Sequence, residues 1–231
     1  MKNCAILLAA GHSARMKGTD KLTFELSGKM IVEYSIETLF KHKSIDHVTI
    51  VTSKNNSNKI KSIISINQYK KPFNLIEGGD TRFESFLNAF KTITSSKITI
   101  IHDAARPFIS ANLISESINI ARKHGTAIPV IKHVDSTYLY KETNTLSKQI
   151  DRNKLLSSQT PQAYKTKILH DAIEYAKKNK IKFNFNDVPE LMLKNGSSPY
   201  IFNGSKYNIK LTSSEDILLL KSIHQILNTN D

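Results

Sequence analysis

The chain has 231 residues, a formal charge of +13 and a pI near 9.7. That length accommodates one α/β core, so a single domain over 1–231 is expected. The charge would suit a polyanionic partner, but the 33 basic residues are nearly all Lys scattered along the chain; no basic run is interleaved with stacking aromatics, so nucleic acid is not expected and small anions are.

In chain order, Ala5-Ile6-Leu7-Leu8-Ala9 reads as a buried strand, and Val32, Ile36, Leu39 and Phe40 recur at helical spacing. Val48 to Val51 is the next strand, followed by a Lys/Asn/Ile helix over 56–65. A short strand at 74–77 precedes a helix marked by Phe83, Phe86, Leu87 and Phe90, and Ile98 to Ile101 is a strand again. A helix through Ile114, Ile118 and Ala121 leads to a strand at 127–130. This alternation predicts an α/β fold, a doubly wound and mostly parallel sheet covered on both faces, with ligands at the carboxyl ends of its strands. Between 134 and 150 the pattern changes to apolar/polar alternation around Glu142-Thr143-Asn144, which predicts an inserted β-hairpin. Such a polar arm either stands on the surface or is exchanged with a second subunit. Beyond it come a helix at 168–176, a strand near 199–202, and a last helix after Ser213-Ser214-Glu215-Asp216, with Ser213 or Ser214 as its cap.

The first residues run straight into a strand, with no signal-peptide h-region behind them. No apolar run approaches the roughly 20 residues that span a bilayer, and the single Cys4 makes neither an internal disulfide nor a Cys cluster. A cytoplasmic protein with no membrane partner is expected.

Four segments at strand ends carry chemistry. "LLAAGHSARM", 7–16, ends a strand in small residues whose backbone N–H groups can converge on anionic oxygens, with Arg15 and Lys21 adding charge. It is neither a Walker A loop nor G-x-G-x-x-G. "GGDTRFES", 78–85, offers paired glycines for close approach to a flat ligand such as a base, and the Ser85 hydroxyl. "HDAARP", 102–107, projects Asp103 toward a ribose hydroxyl or a metal ion, and Arg106 toward a phosphate or toward Asp103 itself. "NIKLTSSEDI", 208–217, carries Lys210 just ahead of a helix. Of only five Arg, four (Arg15, Arg82, Arg106 and Arg152) lie in such segments, where a rigid guanidinium fork does what Lys cannot.

These segments, together with "VDST" at 134–137, "DRNKLLSSQTPQAY" at 151–164 and "NDVPELMLKNG" at 186–196, resemble the cytidylyltransferases acting on 2-C-methyl-D-erythritol 4-phosphate in the non-mevalonate isoprenoid pathway. The resemblance spans almost the whole chain, and the order and spacing of the motifs carry it. It implies a nucleotide-diphospho-sugar transferase type of Rossmann-like fold whose β-arm builds a homodimer. The loop containing Ala9, Ala10, Gly11 and Ser13 would wrap the CTP triphosphate. Gly79, Asp80 and Ser85 would read cytosine, and Asp103 would lie near the ribose and the metal-bound phosphates. Arg106, Thr137, Arg152, Thr160 and Asp187 would hold the methylerythritol phosphate, Thr137 and Arg152 coming from the partner's arm. Arg15, Lys21 and Lys210 would be catalytic, with Mg²⁺ (or Mn²⁺) bound through the CTP phosphates and Asp103 as its candidate protein ligand. Three features depart from the family pattern: Asp20 stands where Pro usually precedes the loop lysine, Asn186 where Thr usually precedes Asp187, and His12-Ser13-Ala14 in place of extra glycine in the first loop.

The acceptor's phosphate oxygen would attack the α-phosphorus of CTP and pyrophosphate would leave, a displacement that needs alignment and charge stabilisation more than a general base. A polyol phosphate such as ribitol 5-phosphate is the alternative acceptor, and a non-catalytic nucleotide-binding protein the alternative class. No nucleophile elbow is present.

Overall fold

The structure, a computed structural model, describes residues 2–11 and 20–229. β1 (Asn3–Ala9) is buried at every position, as a central strand covered on both faces must be. Its side chains alternate between two cores: Ala5, Leu7 and Ala9 enter one, Cys4, Ile6 and Leu8 the other. A short hairpin of β2 (Glu25–Leu26) and β3 (Lys29–Met30) leads into α1 (Ile31–Lys41). Then β4 (His47–Thr52), α2 (Lys54–Ile66), β5 (Phe73–Glu77), α3 (Arg82–Phe90), β6 (Ile98–Asp103), α4 (Ala111–His124) and β7 (Thr126–Lys132) follow in strict alternation.

Among the described residues the hairpin of β8 (Thr137–Lys141) and β9 (Thr145–Ile150) pairs only with itself, and it turns at Asn144, whose φ is +57°. The chain returns through β10 (Leu156–Ser158), β11 (Gln162–Lys165), α5 (Thr166–Lys178), α6 (Val188–Lys194), β12 (Ile201–Asn203) and α7 (Asp216–Thr229).

The main sheet runs β5-β4-β1-β6-β11-β7. β5, β4, β1 and β6 are parallel, β11 lies antiparallel between β6 and β7, and β12 and β10 pair with β7. Helices α1, α2 and α4 cover one face, and α3, α5 and α6 the other, so the doubly wound reading holds. Two features differ from the sequence expectation. The antiparallel β11 has only four residues, too few to show a period, and it is seated by long-range pairing and by the fully buried Tyr164. The last helix begins at Asp216, leaving Glu215 ahead of it; the Asp216 carboxylate accepts from the Thr212 and Ser213 N–H groups at 2.7 and 2.9 Å and anchors the segment that carries Lys210. Among the described residues no helix is long and apolar enough to cross a membrane.

Candidate active site

The carboxyl ends of β1, β5 and β6 open onto one recess of about 220 Å³, walled by Ala10, Gly11, Lys21, Gly79, Asp80, Ser85, Asp103 and Lys210 among others. A second recess of about 190 Å³ lies beside it, between Arg106, Ser158, Thr160 and Asp187. Arg82, Asp103 and Lys210 line both and form the common wall. The topology thus brings together most of the residues singled out in the sequence. Ser13 and Arg15 lie outside the described residues. Ala9 packs into the core, one residue short of the wall.

The loop after β5 is seated by a reciprocal cap. The Thr81 hydroxyl accepts from the Glu84 N–H and the Glu84 carboxylate accepts from the Thr81 N–H, both at 3.1 Å, which sets the first turn of α3 against the recess. Gly79 donates its N–H to the Ser85 hydroxyl at 3.1 Å, leaving that hydroxyl its own proton to give a ligand. The pair of glycines also answers a packing requirement, apart from the ligand approach expected. A Cβ on Gly78 would land on the Cβ of Ala10, and one on Gly79 would meet Glu84 Cβ at 2.5 Å. Packing of this loop on β1 and on its own helix requires glycine before any ligand arrives.

Asp103, at the end of β6, is the electrostatic centre. Arg82 donates Nε to Oδ1 at 2.9 Å and places Nη2 at the same distance, while Lys210 donates to Oδ2 at 2.7 Å. Burial pushes the Asp103 carboxyl up, but Arg82, Lys210 and Arg106 outweigh it and hold the group well below the usual carboxylate range. Lys210 reaches it because Leu211 is fully buried and donates its N–H to the Ala105 carbonyl at 2.8 Å, pinning 208–212 onto the loop after β6. Capping of the last helix alone gave no reason for a lysine there.

Arg106 donates Nη1 to the Asn208 carbonyl at 2.8 Å, while its buried Nε and the Nη1 of Arg82 have no acceptor among the described residues. Arg82 and Arg106 both line the second recess, and two guanidinium groups on one recess suit an anionic ligand. Thr160 is buried; its hydroxyl is engaged with His102 Nδ1 at 2.9 Å and with the Asp103 N–H at 3.1 Å. Asp187 caps α6 by accepting from the Glu190 N–H at 3.3 Å and also lines the second recess. Beside it, the Asn186 N–H donates to Glu190 at 2.9 Å.

Lys21 follows Asp20, whose carboxylate accepts from the Leu22 N–H at 3.0 Å and from the buried Asn56 amide of α2. The Asp at this position therefore ties the lysine segment to a helix. Thr137 and Arg152 lie at the base of the arm, off both recesses; Arg152 donates to the Val134 carbonyl at 2.5 Å.

The profile of the IspD family, 2-C-methyl-D-erythritol 4-phosphate cytidylyltransferase, matches residues 3–225. The chain belongs to this family. It is accordingly an enzyme, a cytidylyltransferase. The 2-C-methyl-D-erythritol 4-phosphate cytidylyltransferase of Clostridium tetani is 37% identical over 94% of this chain and 88% of its own length. The one from Clostridium acetobutylicum is 32% identical over 96% of each. Among solved structures, the 4-diphosphocytidyl-2C-methyl-D-erythritol synthase of Anaerococcus prevotii superposes with a TM-score of 0.83 at 26% identity, covering 97% of this chain and 96% of the other. Roles for His102 and Asn208 had no signal in the sequence beyond their place inside the motifs, and Arg82 stood out only as one of few Arg; the partners of all three include residues far away in the chain.

Proposed function

We propose how this IspD cytidylyltransferase, which transfers a cytidylyl group from CTP to 2-C-methyl-D-erythritol 4-phosphate, divides the work between the two recesses. The larger takes CTP. Gly79, Asp80 and Ser85 face the base, with the Ser85 proton and the Asp80 carboxylate matching the acceptor and donor edges of cytosine. The backbone at Ala10 and Gly11, with Lys21 and Lys210, faces the phosphates. The smaller recess takes the acceptor phosphate on Arg106. The observation that carries this division is the common wall: Asp103, Arg82 and Lys210 border both recesses, so an acceptor oxygen in one meets an α-phosphorus in the other beside fixed cations.

Among the described residues no cluster of three or more His, Cys, Asp or Glu could cage a metal. One buried carboxylate beside a phosphate site does fit Mg²⁺, which binds through one or two carboxylates plus substrate phosphates. Asp103 and the CTP phosphates would hold it, and when bound it would neutralise triphosphate charge. The chain's own residues align the substrates and offset the negative charge that builds on the leaving pyrophosphate; the acceptor phosphate is already ionised.

The arm supports a homodimer. Leu139, Tyr140 and Leu146 are 52%, 75% and 68% exposed on a hairpin that pairs with no other strand among the described residues. Thr137 and Arg152 sit at its base, off their own chain's recesses, so a partner's arm would bring them to the acceptor. Pyrophosphate release with CTP and Mg²⁺ tests the assignment: turnover is expected with methylerythritol phosphate and none with ribitol 5-phosphate. Turnover with the latter alone would move the function to polyol activation.

A further inference from the structure

We propose that His102 is a positioning residue for the acceptor, closing a buried ring of hydrogen bonds that sets Arg106 relative to Asp103 and Lys210. The proposal rests on the reading that Arg106 holds the acceptor phosphate. The ring has four members from three stretches of chain. His102 Nε2 lies 3.1 Å from the Arg106 carbonyl, and Nδ1 lies 2.9 Å from the Thr160 hydroxyl. Asn208 Nδ2 donates to the Thr160 carbonyl at 2.7 Å, and Arg106 Nη1 donates to the Asn208 carbonyl at 2.8 Å, which closes it. His102 and Asn208 are fully buried and Thr160 is 2% exposed.

The direction of every bond follows from chemistry. A carbonyl only accepts, so Nε2 carries the proton toward Arg106. In the neutral ring Nδ1 is then an acceptor, and the Thr160 hydroxyl donates to it. That leaves the Thr160 oxygen to accept the Asp103 N–H at 3.1 Å. Only this tautomer satisfies all three neighbours. His102 therefore holds the carbonyl of Arg106 on one side and, through Thr160, the backbone of Asp103 on the other. Asn208 links the same ring to Lys210 two residues on. Thr160, whose hydroxyl is engaged here at both ends, contributes to the site by holding Asp103 and His102. In a site where a 1 Å misplacement is felt in turnover, the ring fixes Arg106 against a common wall that the Asp103 ion pairs and the Leu211 N–H also hold, so its loss falls on the acceptor side.

The test is steady-state kinetics on folded variants. His102→Phe keeps a buried ring but supplies neither a donor nor an acceptor. It is expected to raise the acceptor KM tenfold or more while the CTP KM stays within twofold. His102→Gln, which can present an amide N–H toward the Arg106 carbonyl, is expected to recover most of that loss. An acceptor KM within twofold of wild type in His102→Phe, an equal rise for both substrates, or no recovery in His102→Gln overturns the proposal. If His102→Phe does not fold, Thr160→Val, nearly equal in shape, is read by the same criteria. Arg106→Ala separates the two levels: an unchanged acceptor KM there overturns the placement of the acceptor and the ring with it. A raised KM there beside a normal one in His102→Phe overturns the ring alone.

Discussion

Asp103→Asn removes the negative charge that pairs with Arg82 and Lys210 and acts on Arg106. In the folded protein the carboxylate meets Arg82 at 2.9 Å and Lys210 at 2.7 Å, from side chains 24% and 33% exposed. Unit charges about 4 Å apart attract by about 4 kcal/mol at an effective dielectric of 20. Desolvation of the carboxylate and partial solvation of both cations offset much of that, leaving about 2 kcal/mol, in the range for hydrogen bonds to charged groups. The sign is set by the pKa: the three cations outweigh burial and hold the carboxyl below its ordinary range, so its ionised form is stabilised by folding. For a chain of this size about 2 kcal/mol lowers Tm by about 4–8 °C. Circular-dichroism melts without nucleotide should show that difference undiminished from about pH 5 to 8. It should shrink once the pH falls below about 4, the unfolded pKa, and go on shrinking toward the lower folded value. A variant as stable as wild type at pH 7, or more so, would refute the reasoning, because burial would then outweigh the cations. With the cations unopposed, CTP affinity measured without Mg²⁺ should not fall even where turnover does.

Lys21→Ala should lower kcat by on the order of 10²-fold or more while the protein stays folded; near-normal turnover would remove Lys21 from the chemistry. Asn56→Ala withdraws the α2 partner of Asp20 and should raise the CTP KM several-fold, while a change confined to stability would make that contact purely structural. Tyr140→Lys combined with Leu146→Lys should convert a dimer to a monomer in sedimentation and raise the acceptor KM, since Thr137 and Arg152 would be lost from the partner's site. A dimer that survives both charges would place the interface elsewhere.

Much of the fold was legible because its signal is local. The all-apolar run at 5–9 makes a strand buried on both faces, the spacing of Phe83, Phe86 and Phe90 makes one helix face, and the alternation around Glu142-Thr143-Asn144 makes the arm. β11 was not legible, since a four-residue strand acquires its state from β6 and β7. The glycines at 78 and 79 were legible as special, but the contacts that require them, with Ala10 and Glu84, exist only once β5 and α3 have packed.

The sequence by itself determined the class of the protein, because element type and motif order depend on side chains within a few residues of one another. It placed Lys210, Asp103 and Ser85 at chain positions that only a doubly wound sheet makes neighbours. Tertiary structure alone decided that Asp103 is shared between Arg82 and Lys210, that Thr160 faces His102, and that Asn208 ties Arg106 to Thr160. Hydrogen bonds and ion pairs act over about 3 Å. No separation along the chain encodes such a distance until strand pairing and core burial have brought residues up to 107 positions apart into contact.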